Sequence, residues 1–120
     1  MGVRGRVRQS LARWADSGDQ EDRDLRKQHG VEGVTPIAQA PDREPVVLRG
    51  TLGSVTLMPR GGVLTLEAEL RDGSGAVTLI WLGRRHIAGI EVGRSLSVWG
   101  RIGRHDGRRV LYNPRYELKP

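Results

Sequence analysis

Arginine is the residue through which this chain has the most chemistry to offer. The guanidinium group presents a rigid fork of N–H donors that matches the oxygens of a phosphate or carboxylate, and eighteen of the twenty basic residues are Arg. Three of them stand beside glycine-rich turns: Arg60 in Met58-Pro59-Arg60-Gly61-Gly62, and Arg104 and Arg108 in Gly103-Arg104-His105-Asp106-Gly107-Arg108. Arg84 and Arg85 form a further cluster with His86, while Arg71 ends an alternating apolar segment. Trp99 shares a strand face with Ser97 and Arg101. Arg60, Arg71, Arg84, Arg85, Trp99, Arg101, Arg104 and Arg108 are therefore the candidate binding residues. The chemistry is capture of anionic oxygens by charge-assisted hydrogen bonds, with the Trp99 ring as a stacking surface.

The residues do not assemble a catalytic or metal-binding pattern. His29, His86 and His105 are far apart without ligand spacing, cysteine is absent, and no nucleophile elbow, zinc-binding helix motif or Gly-x-x-x-x-Gly-Lys loop is present. His105-Asp106 reads as turn chemistry, since no third partner for a catalytic pair can be named. No cofactor, no metal and no enzymatic activity are expected. The lack of cysteine fits a reducing cytoplasm. No apolar run of membrane-spanning length occurs, so no integral membrane segment is expected.

Charge is divided unevenly. Residues 1–44 hold eight basic and eight acidic side chains, so the formal +6 arises entirely from residues 45–120, with twelve basic against six acidic. A compact domain of this balance carries the electrostatic footprint of a phosphate-binding surface.

The elements that must position these arginines are strands. Val46 to Met58 alternates through Val46, Leu48, Gly50 and Leu52, with Gly50 and Gly53 as points for a bend or bulge. Val63 to Arg71 places Leu64, Leu66, Ala68 and Leu70 on one face and Thr65, Glu67, Glu69 and Arg71 on the other. Asp72-Gly73-Ser74-Gly75 then turns the chain into Ala76 to Leu82, where Trp81 alternates with Val77 and Leu79 and is expected in the core. Gly83 to Gly93 reads as a loop or short helix. Ser95 to Ile102 is the fourth segment, Gly103 to Gly107 a turn, and Arg108 to Asn113 the fifth, before Pro114 interrupts. The expected fold is all-β, a five-stranded Greek-key OB-fold barrel over residues 45–120, with an SH3-like barrel as competitor.

Residues 1–44 read as a helical or partly disordered extension and linker. Val3, Val7, Leu11 and Trp14 share one helical stripe, Ser17-Gly18-Asp19 interrupts it, and Glu21 to His29 forms a marginal second helix or disorder. Gly30 to Pro45 reads as an irregular connector. The first helix docks on the barrel or frays, and it offers a place for a protein partner.

Two longer resemblances join these segments. The succession Val46-Val47-Leu48-Arg49-Gly50-Thr51-Leu52, Leu70-Arg71-Asp72-Gly73-Ser74-Gly75, Leu79-Ile80-Trp81 and Gly93 to Arg101 resembles an OB-fold of the anticodon-binding type, and Gly107 to Leu118 is similar to the last strand of the wedge domain of RecG-type DNA helicases. The chain as a whole resembles the small actinobacterial OB-fold nucleic-acid-binding domain proteins, through Trp81-Leu82-Gly83-Arg84-Arg85 and Asn113-Pro114-Arg115-Tyr116-Glu117-Leu118. The resemblance implies a binding module for single-stranded or distorted nucleic acid, DNA in preference to RNA. It implies a ligand across strands two and three, gripped by Arg60, Arg104 and Arg108 from opposite loops. Glu67 and Glu69 would oppose phosphate there unless Arg71 or Arg49 neutralises them. Tyr112 and Tyr116 read as structural. The alternative is a protein-interaction barrel that recognises an acidic partner.

Overall fold

A computed structural model describes residues 18–30 and 32–120. The proposed stripe from Val3 to Trp14 lies outside these residues. Helix α1 covers residues 18–29, so Gly18 and Asp19 are helical rather than an interruption. The charged stretch from Glu21 onward is helical too, although its sequence alone makes a marginal helix. Tertiary contacts supply the difference. Gln28 Nε2 donates to Ser95 Oγ at 3.2 Å, and buried His29 places Nε2 2.8 Å from Thr51 Oγ1, which lies 3.0 Å from Ser95 Oγ. Burial and the nearby Arg49 charge hold the His29 imidazole below its usual pKa, favouring the neutral ring this contact uses. Arg23 donates to the Asp19 carbonyl, and Asp22 meets Arg71 of the sheet at 3.6 Å.

The rest is all-β. The strands are β1 (Pro45–Arg60), β2 (Val63–Arg71), β3 (Ala76–Leu82), β4 (Ser95–Arg101), β5 (Gly103–His105), β6 (Arg108–Tyr112) and β7 (Arg115–Leu118), after a 3-10 turn at Ile37–Gln39. They form one sheet in the order β5-β6-β3-β2-β1-β4-β7, whose two ends are not laddered together. The count differs from five because the expected turn at Gly103 to Gly107 holds a strand of its own, β5, and the chain beyond Pro114 pairs again as β7. Ile102 leaves the ladder for an isolated bridge to Asp42, which separates β4 from β5, and Pro114 separates β6 from β7. Gly103 to His105 is thus strand rather than turn, and the reversal narrows to Asp106 and Gly107, both at positive φ.

Strand β1 serves two neighbours. Pro45 to Thr51 pairs antiparallel with β4, and Thr51 to Arg60 pairs antiparallel with β2, with a bulge between Leu52 and Ser54 where Gly53 sits. Gly50 marks this handover: a Cβ there would lie 2.6 Å from the Arg71 carbonyl oxygen, so only glycine lets the two backbones approach so closely. β3 pairs antiparallel with β2 and parallel with β6.

Alternation assigns the inner face. Val46, Leu48 and Leu52 of β1, Leu66, Ala68 and Leu70 of β2, Val77, Leu79 and Trp81 of β3, and Leu96 and Val98 of β4 share one buried cluster. Trp81 is in the core as expected, its Nε1 donating to the Pro114 carbonyl at 3.4 Å. Ile37 and Ala40 join the cluster from the connector, and Ile87 and Ile90 join it from the 83–94 loop, which contains no helix. Apolar residues spaced like these in short irregular segments produce no periodic signal, and only the packed structure reveals their role.

Candidate functional site

The outer face of β1, β2, β3 and β6 carries a groove. Register places Ser54, Thr56, Met58 and Arg60 of β1 beside Glu69, Glu67, Thr65 and Val63 of β2; Glu69, Glu67 and Thr65 then lie opposite Thr78, Ile80 and Leu82 of β3. Val110 and Tyr112 of β6 lie opposite Thr78 and Ile80. Ile80 and Val110 are buried yet stand outside the main core cluster, and form an apolar floor on this second face. The groove, of about 170 Å³, lies on the same face, lined by Thr56, Arg60, Glu67, Glu69, Thr78 and Arg108 among others.

Two hairpins bound the groove. The β1–β2 hairpin turns at Gly61 and Gly62, whose φ values of 56° and 80° define a two-residue turn that side chains rarely tolerate. The β5–β6 hairpin turns at Asp106 and Gly107, with His105 Nε2 3.3 Å from Asp106 Oδ2. The hairpins are within electrostatic reach of each other, since Asp106 acts on Arg60 and Arg108 acts on Glu67.

Glu67 is the first correction to the expected site. It is buried rather than an exposed carboxylate, and it is neutralised by Arg60, not by Arg71 or Arg49. Arg60 Nε and Nη2 donate to its two oxygens, the second at 3.1 Å, and Thr65 Oγ1 donates to Oε2 at 2.9 Å. The Arg60 bond is the main reason the Glu67 carboxyl is held below its usual value, with Thr65 assisting. Because the folded pKa is the lower one, the stability this network provides is complete above the unfolded value of about 4.5 and is lost as pH falls through the folded value. Glu67→Gln is expected to lower stability at neutral pH and to flatten the acid limb of the stability curve, read as urea midpoints at neutral pH and in mild acid. Equal acid sensitivity in variant and parent would refute this role.

The eight candidate residues do not form one surface. Arg60 and Arg108 line the groove, but Arg60 is committed to Glu67. Arg104 points away from it, on the β5 face opposite to His105, and meets Asp42 at 3.0 Å. The proposed three-way grip by Arg60, Arg104 and Arg108 is therefore not assembled. Arg71 is drawn toward α1 by Asp22 at 3.6 Å and Glu69 at 3.9 Å. Arg84 and Arg85 are exposed just past the end of β3, where Gly83 N bonds the Leu64 carbonyl, so they stand near the start of β2. Trp99 and Arg101 belong to the β1–β4–β7 face, and the Arg115 guanidinium carbon sits 5.4 Å from the Trp99 ring centroid, covering it. Among the described residues, Arg84, Arg85, Arg101 and Arg108 have no carboxylate at ion-pair distance.

Tyr112, expected as a structural residue, is 47% exposed on the outer face, with its ring edge-on to His105 at 6.4 Å, and Leu82 and Val63 are similarly open on the same face. The alternation of Val110, Leu111 and Tyr112 held the signal, because buried Leu111 in the core cluster sends Tyr112 outward. Tyr116, expected in the same role, is 37% exposed and packs edge-on against Trp81 at 5.8 Å.

Among the described residues, no group of three His, Cys, Asp or Glu is placed to hold a metal ion, and no helix is long and apolar enough to cross a membrane. No model of a known protein family matches the chain, and neither does any curated protein.

Proposed function

We propose that this chain is a non-catalytic nucleic-acid-binding module of the five-stranded OB type, which holds single-stranded or distorted nucleic acid, DNA in preference to RNA. Three features support the OB reading: a long β1 shared between β2 and β4, a parallel β3–β6 pair, and the run from β4 through Ile102 into β5, which passes from the partner of β1 to the partner of β6. Counted as one strand, β4 and β5 reduce the set to five principal strands plus β7. In that fold the β2–β3 face and its two flanking loops take the ligand.

The observation that carries the function is the composition of this face. Exposed Tyr112, Leu82 and Val63 share the face that holds a groove lined in part by Arg108, and Arg84 and Arg85 stand beyond β3. Aromatic and apolar surface receives bases while unpaired guanidinium groups receive phosphates. Arg60, already neutralised, shapes the groove through Glu67 and contributes no phosphate contact in this reading.

Salt titration tests it. Affinity for a labelled oligothymidylate should fall log-linearly with salt, and each single-strand phosphate contact contributes about 0.7 to the slope, so Arg84→Glu, Arg85→Glu and Arg108→Glu together should reduce it by roughly 2. Absence of oligonucleotide binding by the parent protein at low salt rejects the reading.

A further inference from the structure

The most strongly unbalanced charge lies away from the groove. On the outer face of β4, Ser95, Ser97, Trp99 and Arg101 alternate with core-facing Leu96, Val98 and Gly100. Register sets Arg101 opposite Pro45, Trp99 between Val47 and Arg115, and Ser97 between Arg49 and Glu117. Lys119 continues the row, its backbone N bonded to the Ser95 carbonyl at 2.9 Å. Arg101, Arg115 and Lys119 thus share this face with one strand carboxylate, Glu117, and none of the three has an ion-pair partner among the described residues, while Arg49, its Nε buried, lies toward the Ser95 end that Gln28 and His29 of α1 cover.

The contrast with the groove is physical. There, Arg60 is taken up by the buried Glu67, and elsewhere Arg71 and Arg104 are taken up by Asp22 and Glu69 and by Asp42. Here cations on adjacent strands have, among the described residues, no carboxylate at ion-pair distance, an arrangement that costs stability and that a polyanion would relieve. Arg115 lies over the Trp99 ring, so the aromatic is occupied in orienting a guanidinium, and a ligand here meets charge rather than a stacking platform.

We infer that the β1–β4–β7 face is a second nucleic-acid contact, which binds a phosphodiester backbone without reading bases, so that one molecule holds two segments of single strand at once. This rests on the reading of the groove as a nucleic-acid site. The two surfaces lie on different sets of paired strands, β1–β4–β7 for this one and β1–β2–β3–β6 for the groove.

The test uses the full chain with oligothymidylates of about eight and about thirty nucleotides, the first within the site size of one such surface and the second long enough to bridge two. The parent protein should bind two short oligomers, and the variant carrying Arg101→Glu, Arg115→Glu and Lys119→Glu should bind one. Its affinity for the long oligomer should fall at least roughly tenfold through loss of the tethered second contact. The groove variant with Arg84, Arg85 and Arg108 reversed should likewise retain one short oligomer. If the triple variant fails to fold by circular dichroism, Arg101→Glu alone is measured against the long oligomer, with the same direction of change.

A parent that binds one short oligomer, lost only in the groove variant, overturns the second contact and leaves the groove reading intact. A parent that binds no oligonucleotide at low salt removes both. Capture of a polyglutamate peptide on this face, with no oligothymidylate there, overturns the inference in favour of an acidic protein partner.

Discussion

Tyr112→Ala should weaken single-strand binding roughly 5- to 150-fold, because stacking of one base on an aromatic ring is worth about 1 to 3 kcal/mol. The thermal midpoint should stay where it is. Tyr112 is exposed over almost half its surface and its ring contact is edge-on to His105, so truncation opens no core cavity. Tyr112→Phe should keep most of the affinity, since the ring and not the hydroxyl receives the base. Tyr116→Ala should behave in the opposite way: it removes the edge contact to buried Trp81 and lowers stability while leaving affinity for short oligomers unchanged. Fluorescence anisotropy with a labelled oligothymidylate, alongside thermal melting, separates the two patterns. Unchanged affinity for Tyr112→Ala would remove this tyrosine from the interface.

The largest effect on the fold is expected at Leu79. Its side chain is fully buried and lies in register with Ala68 on β2 and Leu111 on β6, at the junction of an antiparallel and a parallel ladder. Leu79→Ala should cost about 2 to 5 kcal/mol, the loss of buried apolar surface plus a cavity that neighbours fill incompletely. The upper part of that range is expected, because Ala68 is too short to reach into the space and Leu111 is held by backbone pairing. Against a total stability of roughly 5 to 15 kcal/mol this removes a large fraction. Urea denaturation should show a lower midpoint with an unchanged slope. A loss below about 1 kcal/mol would place the centre of packing elsewhere.

Strand positions were legible because a strand side chain alternates with period two, a purely local property. Val63 to Arg71 is the clearest case: Leu66, Ala68 and Leu70 are buried in the main core as the alternation requires. Gly53 marks the bulge in β1, and Gly61-Gly62 and Asp72 to Gly75 mark turns. The helix at residues 18–29 was less legible, since its stability comes from His29, Gln28 and Asp22 reaching partners on distant strands. Gly103 to His105 read as a turn and forms β5, and the chain beyond the interruption at Pro114 pairs again as β7.

The candidate site followed a different logic. That this chain is all-β, that residues 45–120 carry its net charge and that guanidinium groups dominate its chemistry were determined by the amino-acid sequence alone, because composition and alternation need no distant partner. Which arginines remain available was decided only by the tertiary structure. Arg60 finds Glu67 across a hairpin, Arg104 finds Asp42 from the connector, and Arg71 finds Asp22 on the helix, while Arg108 and Arg101 have no carboxylate at ion-pair distance among the described residues. The pairing of a long charged side chain depends on which carboxylate the folded sheet brings within a few ångströms, and Coulomb interactions are insensitive to separation along the chain.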